Sequence, residues 1–594
     1  MILKALYDYY DRRGNFPSLG MELRQIALVI EIDSDGNFVD IWDTRCDDPN
    51  GGKKKIARTF CVAKDVGRSS NITPNLFYDN PKYVLGVGDD DRKCHDTFVN
   101  KCSELHVLYP NNSAFSAVVA FYNEKNGIDK VKTHSLWGDM QKQTDNIISF
   151  MLQGSQTLVS EDDDIISYAG KLAADSEGGH SVCLVTGKRC EPVRVTTKIL
   201  LPGQKNRGSL VSFNNISFWS YGKEQCFNAP ISPAAEAKYS AALKAMLEKG
   251  SSNRYYVGDR TMLFWASSDN ETALKAEQGL FSLFNFSSGS EDNPDRNVEL
   301  VRQLFRNIYS GETPVPAEDK FYFLGLAPNN ARIAVVYWQE MALKDFAEKI
   351  NRHFEDMSLG GEGERYAGVY QMLLSIAPKD KSNEERIKKL PKKLVEEIIR
   401  SVVGGTPYPN TFFSACLRRI RADHEFPDKK PDKKDVKYPR KREEWKGRIA
   451  IIKAYLRRIE DNNIKPDIML DKENNNQGYL CGRLFAVLDS IQEKARTEEK
   501  ARTGKTLREG YLTSASATPS VVFPKLLNLS VHHSAKLDAG MQIWYEKLKT
   551  EICSKFPSEG FPATLSIQDQ GRFMIGYYHQ REDLFTKKVN KDNQ

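Results

Sequence analysis

Long apolar runs are missing from this chain: none reaches the roughly 18–20 residues that a membrane-spanning helix needs. Paired cysteines are missing too. The ten cysteines are scattered and no two form a C-x-x-C, a pattern that suits reduced, partly buried thiols rather than a disulfide framework or zinc site. Cys183 and Cys190, with no second pair at zinc spacing, read as structural thiols. Catalytic signatures are equally scarce. Gly504-Lys-Thr506 has Glu499 where a phosphate loop needs its first glycine. Gly86-Val-Gly88 runs into Asp89-Asp-Asp91, which would repel a pyrophosphate and lacks the third glycine of a dinucleotide turn. Neither G-x-S-x-G nor H-E-x-x-H occurs. His532 and His533 are adjacent, about 100° apart on a helix and poorly placed to share a metal. Cys94-His95-Asp96 lacks companion ligands and reads as part of a surface helix. Asp33-Ser-Asp-Gly36 opens like a calcium loop without its remaining ligands, so it reads as a hairpin turn. The expectation is therefore no catalytic residue, no metal and no cofactor. Scattered carboxylates leave one alternative open, a stand-alone metal-dependent nuclease or other nucleic-acid enzyme.

What is present is an ordinary globular composition, 40% hydrophobic and 28% charged, with a formal net charge of +6. That charge is localised. Between Arg418 and Arg448 stand thirteen Lys/Arg against seven Asp/Glu, leaving the rest of the chain close to neutral. A basic segment of this kind is the footprint of a polyanion binder, although charge runs are more often solvated faces. The opening Met1–Arg13, with Ile2, Leu3, Leu6 and Tyr10 apolar, predicts a short amphipathic helix rather than a signal peptide. Arg24–Trp42 alternates as a hairpin. Asp91–Leu108, Ser113–Lys125 and Asp139–Gly154 read as helices, and Ser232-Pro233 caps another. Tyr255–Trp265 and Phe321–Trp338 read as strands. Helical periodicity takes over beyond about residue 340. The predicted fold class is α+β: mixed N-terminal and middle α/β-rich domains followed by a C-terminal helical bundle. Boundaries are expected at 1–235, 236–340, 341–468 and 469–594.

One stretch organises the functional reading. Arg68-Ser-Ser-Asn-Ile-Thr-Pro-Asn-Leu-Phe-Tyr-Asp-Asn-Pro-Lys-Tyr-Val-Leu-Gly86 sets Asn71, Asn75, Asn80, Ser69, Ser70, Arg68 and Lys82 around two prolines. Pro74 and Pro81 bias their predecessors towards extended backbone, giving a shaped loop. Asn and Ser can bond base edges, and Arg and Lys can bond bases or phosphates. The competing reading is a turn whose amides bond their own backbone. Just before it, Lys53, Lys54, Lys55, Arg58 and Lys64 form a basic line suited to phosphates, and Lys205 and Arg207 add a basic loop further on. Phe213, Phe218, Trp219 and Tyr221 could stack bases, although aromatics at such spacing are more often core.

Read together, several segments resemble the large-subunit family of type I-C CRISPR surveillance complexes (Cascade; the Csd-one or Cas-eight-c family). They are Ile2–Asp11, Arg68–Gly86, Thr186-Gly-Lys188, Leu210–Asn214, Ser220-Tyr-Gly222, Asn228–Ser232 and Phe321–Trp338, then Gly405–Pro409, Gly482–Ala486, Phe523–Leu526 and Gly576–Arg581. That family's pattern carries a His between the Thr-Gly turn and Ser-Phe-Asn, and Arg194–Lys198 has none. The resemblance implies a cytoplasmic, non-enzymatic, RNA-guided DNA-binding subunit. Guide pairing would read the target, while this chain reads a short flanking motif (the PAM) and promotes unwinding and R-loop stabilisation in antiviral defence. It implies a CRISPR RNA, double-stranded target DNA and its displaced strand as partners. Backbone, crRNA-end-binding and small subunits and a helicase-nuclease effector complete the set, with no membrane. By the same analogy Arg68–Lys82 contacts the PAM, with Asn71 and Asn75 at base edges, while Lys53–Lys55, Arg58 and Lys64 hold phosphates. Arg418, Arg419, Arg421, Lys441 and Arg442 would line the guide–target hybrid or displaced strand. Met469 is a candidate internal start for a separately made small subunit of roughly 125 residues.

Overall fold

Alternation in the N-terminal third builds two small sheets. A computed structural model describes the chain except residues 15, 48–54, 67–71, 89–91, 124–126, 143–145, 176–178, 258, 285–293, 360–367, 381, 424–437, 460–468, 499–505 and 586–594. Strands β1 (Met21–Gln25), β2 (Leu28–Ile32), β3 (Phe38–Asp43), β4 (Thr59–Ala63), β5 (Tyr78–Asp79) and β6 (Ile148–Leu152) enclose one large apolar core and a smaller one around Val29, Phe60, Val62 and Tyr78. β1 pairs antiparallel with β4 from Met21↔Ala63, and the others form a sheet in the order β3-β2-β6-β5. The expected hairpin is there, but it begins at Leu28. Ile26 and Ala27 turn the chain from one sheet to the other, so Gln25 belongs to the first. The Asp33 carboxylate closes the turn on the Asp35 and Asn37 N–H groups at 3.0 and 2.8 Å.

One element departs from expectation. Asp139–Gly154 is not a helix: a short helix Trp137–Lys142 precedes β6, which runs parallel to β2 at Leu28↔Ile148. Ile148, Ser149 and Phe150 are all buried, and a strand covered on both faces loses its alternation and reads as a plain apolar run.

The chain sorts into two compact units, Met1–Ser251 with Pro328–Ala334, and Ser252–Ala327 with Val335–Gln594. The expected boundaries at 340/341 and 468/469 both lie inside the second. In the first unit, helix Ile2–Arg13 packs on helix Pro233–Leu247, whose Ser232 hydroxyl accepts from the Ala235 N–H. Lys238 from the latter bonds Asp11 at 2.6 Å and covers the Tyr7 ring.

The second unit holds the strands Arg254–Val257 and Arg260–Ala266 and all but the tip of the hairpin Lys320–Asn329 with Arg332–Ala342, with helices between them and beyond. A single core links Tyr255 to Tyr578. Its centre is helix Gln477–Glu498, buried all round from Gly478 to Gln492, as a helix without a polar face must be. It crosses helix Ile567–Phe585 at glycines: a Cβ on Gly482 would lie 2.0 Å from the Phe573 carbonyl oxygen, and one on Gly576 would lie 2.2 Å from that of Tyr479. Buried ion pairs lock the crossing, Arg581 meeting Asp489 and Glu493 at 3.0 Å each. The fold is α+β, with a C-terminal helical region. Among the described residues no helix is long and apolar enough to cross a membrane, and no group of three or more His, Cys, Asp or Glu side chains could hold a metal ion.

Candidate nucleic-acid interface

The stretch singled out in the sequence divides at Pro74. Arg68, Ser69, Ser70 and Asn71 lie outside the described residues, as do Lys53 and Lys54. Ile72 and Thr73 are exposed, and from Pro74 to Phe77 the chain goes into the core. Asn75 is 3% exposed. Its side-chain oxygen accepts from the Val66 N–H at 3.0 Å, and its own N–H donates to Asp79 at 3.0 Å. Asp79 takes a second N–H from Asn80 at 2.8 Å, so a buried carboxylate is matched by backbone donors. Asn80 caps helix Pro81–Leu85, its oxygen accepting from the Lys82 and Tyr83 N–H groups. The base-contact role expected of Asn75 and Asn80 is therefore not the one their placement gives them. Both oxygens hold the loop together, as the competing turn reading described. Lys82 is half-buried on the capped helix.

The root of this loop is rigid for identifiable reasons. Phe77 adopts φ 56°, a left-handed conformation that is costly for a bulky residue. It is held there by stacking on Phe115 at 4.6 Å and by Ser149, whose hydroxyl donates to its carbonyl. Tyr78 donates to the Ala63 carbonyl at 2.5 Å beneath the Arg24 guanidinium, and burial pushes its phenol well up. Arg24 pairs with Asp65 at 3.0 Å and Lys244 with Glu22 at 2.6 Å. Burial alone would raise the Glu22 carboxyl. Lys244, the Asp65 N–H and Arg24 reverse that, leaving it below the usual carboxylate range. The residues just before the loop are thus tied by charge, and those just after it by packing.

The expected phosphate-binding residues separate in the same way. Lys55 and Arg58 are exposed, with the Arg58 guanidinium 5.6 Å from the centre of the Trp42 ring. Lys64 is paired with Glu236 at 2.6 Å. Lys205 and Arg207 stand exposed. Arg418 is exposed on helix Asn410–Ala422, but Arg419 grips Asp423 at 2.8 Å and Arg421 reaches Gln570, its guanidinium pushed down by burial. Arg448 is 2% exposed and donates to the Ser375 carbonyl, so its cation belongs to the core. Lys441 and Arg442 lie in helix Tyr438–Ile459, and their side chains fall outside the described residues. His95 is buried rather than on a surface: its Nδ1 lies 3.0 Å from the Tyr83 carbonyl oxygen, joining helix Lys93–Leu108 to the capped helix.

The aromatic segment is more exposed than the expected core packing of its rings. Phe213 and Trp219 are half-buried, but Phe218 is 42% and Tyr221 100% exposed. The aromatic count was the available signal. What breaks the core periodicity is local: a turn of 3-10 helix at Ile216–Phe218 capped by Asn215, then a tight turn at Ser220-Tyr-Gly-Lys223.

Mixed sheets, a helical C-terminal region and clusters of exposed cations beside amides and aromatics give the general character of the chain, and comparison with protein families gives its class: residues 6–585 match the model of a CRISPR-associated protein. No curated protein matches the sequence. That model is Cas_Csd1, and the chain, matched over nearly its whole length, belongs to the Cas_Csd1 family.

Proposed function

We propose that the chain is the non-catalytic large subunit of an RNA-guided DNA surveillance complex, and that Arg68–Thr73 reads the PAM in duplex DNA. The observation that carries this is the hydrogen bond from the Val66 N–H to the Asn75 side chain. It brings together the two ends of a short polar segment that carries Arg68, two serines and Asn71, next to a buried, fixed root. Preorganised roots of this kind favour recognition, because the ends need no further ordering on binding. Membership of a CRISPR-associated family supplies the context. Within it Asn71 is the amide for a base edge, Lys53–Lys55 and Arg58 hold phosphates, and Arg418 faces the guide–target hybrid or displaced strand. The chain would work in the cytoplasm with CRISPR RNA, backbone, crRNA-end-binding and small subunits, stabilise the R-loop and help recruit a helicase-nuclease.

The test is binding of the assembled, guide-loaded complex to a randomised PAM library. Asn71→Ala should relax PAM discrimination by about 1–3 kcal/mol, the worth of a good bidentate base contact. Lys53→Ala should weaken every sequence alike and flatten the salt dependence. Asn75→Ala should lower stability by about 1–3 kcal/mol, because the Val66 N–H loses its acceptor. Equal losses on all library members from Asn71→Ala would reduce the segment to a backbone contact. Divalent-metal-dependent cleavage by the purified chain, abolished by substituting a carboxylate pair, would overturn the non-catalytic assignment.

A further inference from the structure

Residues 192–223 hold five cations (Arg194, Lys198, Lys205, Arg207, Lys223) and no Asp or Glu. In a chain with 79 acidic residues among 594, a gap of this length is a marked charge asymmetry. The fold gathers part of it. Ser209 lies beside Lys198 on one strand and beside Arg332 on another, with Arg207 one residue before the pair Gly208-Ser209. Arg332, at the hairpin tip that belongs to the same unit, hydrogen-bonds Asn214 and lies 4.4 Å from the centre of the Phe218 ring. Three residues on, Tyr221 and Gly222 both have positive φ, 54° and 69°, and the Lys223 N–H donates to the Ser220 carbonyl at 2.9 Å. Positive φ at both central positions is the signature of a type I′ turn, for which Asn-Gly is the favoured pair. An aromatic residue there is strained, and at 100% exposure Tyr221 makes no packing contact to offset it.

The strained turn is also held still. Asn228 accepts from the Ser220 N–H at 2.9 Å and donates to the Lys223 and Gln225 carbonyls at 2.7 and 2.9 Å. The Trp219 indole donates to the Phe213 carbonyl, bracing the segment from the other side. Rings held out from a fixed backbone among cations and amides match the two needs of a single strand, Glu224 being the nearest acid in sequence. Bases need flat apolar faces, and the backbone needs positive charge. Protein-binding surfaces are instead depleted of charge at their centres. In a duplex the base faces are covered by their neighbours, so exposed rings can stack only on unpaired bases.

We propose that Phe218 and Tyr221, with Arg207, Lys223 and Arg332 beside them, form a stacking platform for single-stranded nucleic acid. The platform goes beyond motif reading by Arg68–Thr73 and does not depend on it. The test uses the full chain and fluorescence anisotropy with a labelled oligothymidylate, an oligouridylate and a duplex of matched length. Tyr221→Gly should weaken strand binding by roughly 5- to 100-fold, as expected for a lost stacked base, and leave the duplex unaffected. The same change should raise the unfolding midpoint, because glycine accepts positive φ without strain. A variant that is more stable yet binds worse cannot be dismissed as misfolded. Phe218→Leu should reproduce the binding loss while keeping an apolar partner for Arg332. Loss confined to the deoxy or the ribo strand, or shared by both, would support the platform and identify its strand. Unchanged strand binding in both variants would overturn it, as would equal loss on the duplex. So would loss of capture of a partner protein with strand binding intact, which would mark a protein-docking surface instead.

Discussion

His353 sits in the core of the second unit with its Nδ1 2.6 Å from the Tyr408 hydroxyl. The Arg458 guanidinium lies 4.2 Å from the centre of the same tyrosine ring and pairs with Asp356 at 2.7 Å. Burial, and secondarily the Arg458 charge, push the imidazole down to about 3 from its ordinary 6.5. The folded state therefore binds fewer protons at this site than the unfolded state between those two values. Stability from this residue is complete above pH 6.5 and falls as pH drops, by about 1.4 kcal/mol per unit. Urea midpoints at pH 7.5 and 5.5 should show that loss, and His353→Gln should reduce it. The residue scale is also where sequence was least informative about the site. Asn71, Asn75 and Asn80 look equivalent in a string of letters. Burial beginning at Pro74 separates them, and it comes from Phe77 stacking on Phe115, 38 residues away in sequence. Lys64 reads as a surface cation until helix Pro233–Leu247 brings Glu236 against it.

At the scale of elements, helix positions were largely readable because capping and period are local. Ser232-Pro233 opens its helix as expected, and helix Lys93–Leu108 falls within two residues of its predicted ends. β6 was not readable, since its strand character depends on being covered from both sides. The crossing of Gln477–Glu498 with Ile567–Phe585 shows a further kind of hidden information. Its glycines are visible, but only the structure pairs Gly482 with Phe573 and Gly576 with Tyr479. Gly482→Ala should push these backbones apart and destabilise the chain by about 3 kcal/mol, at the upper end of ordinary overpacking. Chemical denaturation would measure it, with Gly510→Ala as the unobstructed control: no atom lies within 4 Å of the new Cβ, and helix propensity should make that variant up to about 1 kcal/mol more stable.

For the whole molecule, the α+β class followed from the order of patterns, strands early and helices late. The continuous core of the second unit depends on contacts between distant segments, which the order of patterns does not carry. Met469, a candidate internal start, is exposed, and the central helix that follows packs chiefly on helices after it, Ile567–Phe585, Pro519–Ser534 and Ala539–Cys553. Residues 469–594 made alone should therefore be helical and unfold cooperatively. They should also bind a hydrophobic dye, because the surface covered by Phe413 and Trp445 over Gly571 and Tyr578 would be bare. Circular dichroism and dye fluorescence check both points, and a disordered fragment would rule out an autonomous C-terminal domain. The tie between Val66 and Asn75 has a different consequence, for how such proteins can diverge. Once both feet of a loop are fastened to each other, doubling the length between them costs only about 0.6 kcal/mol of closure entropy. The chain thus has a socket into which a segment of altered length or sequence can be fitted while the core beneath it stays the same.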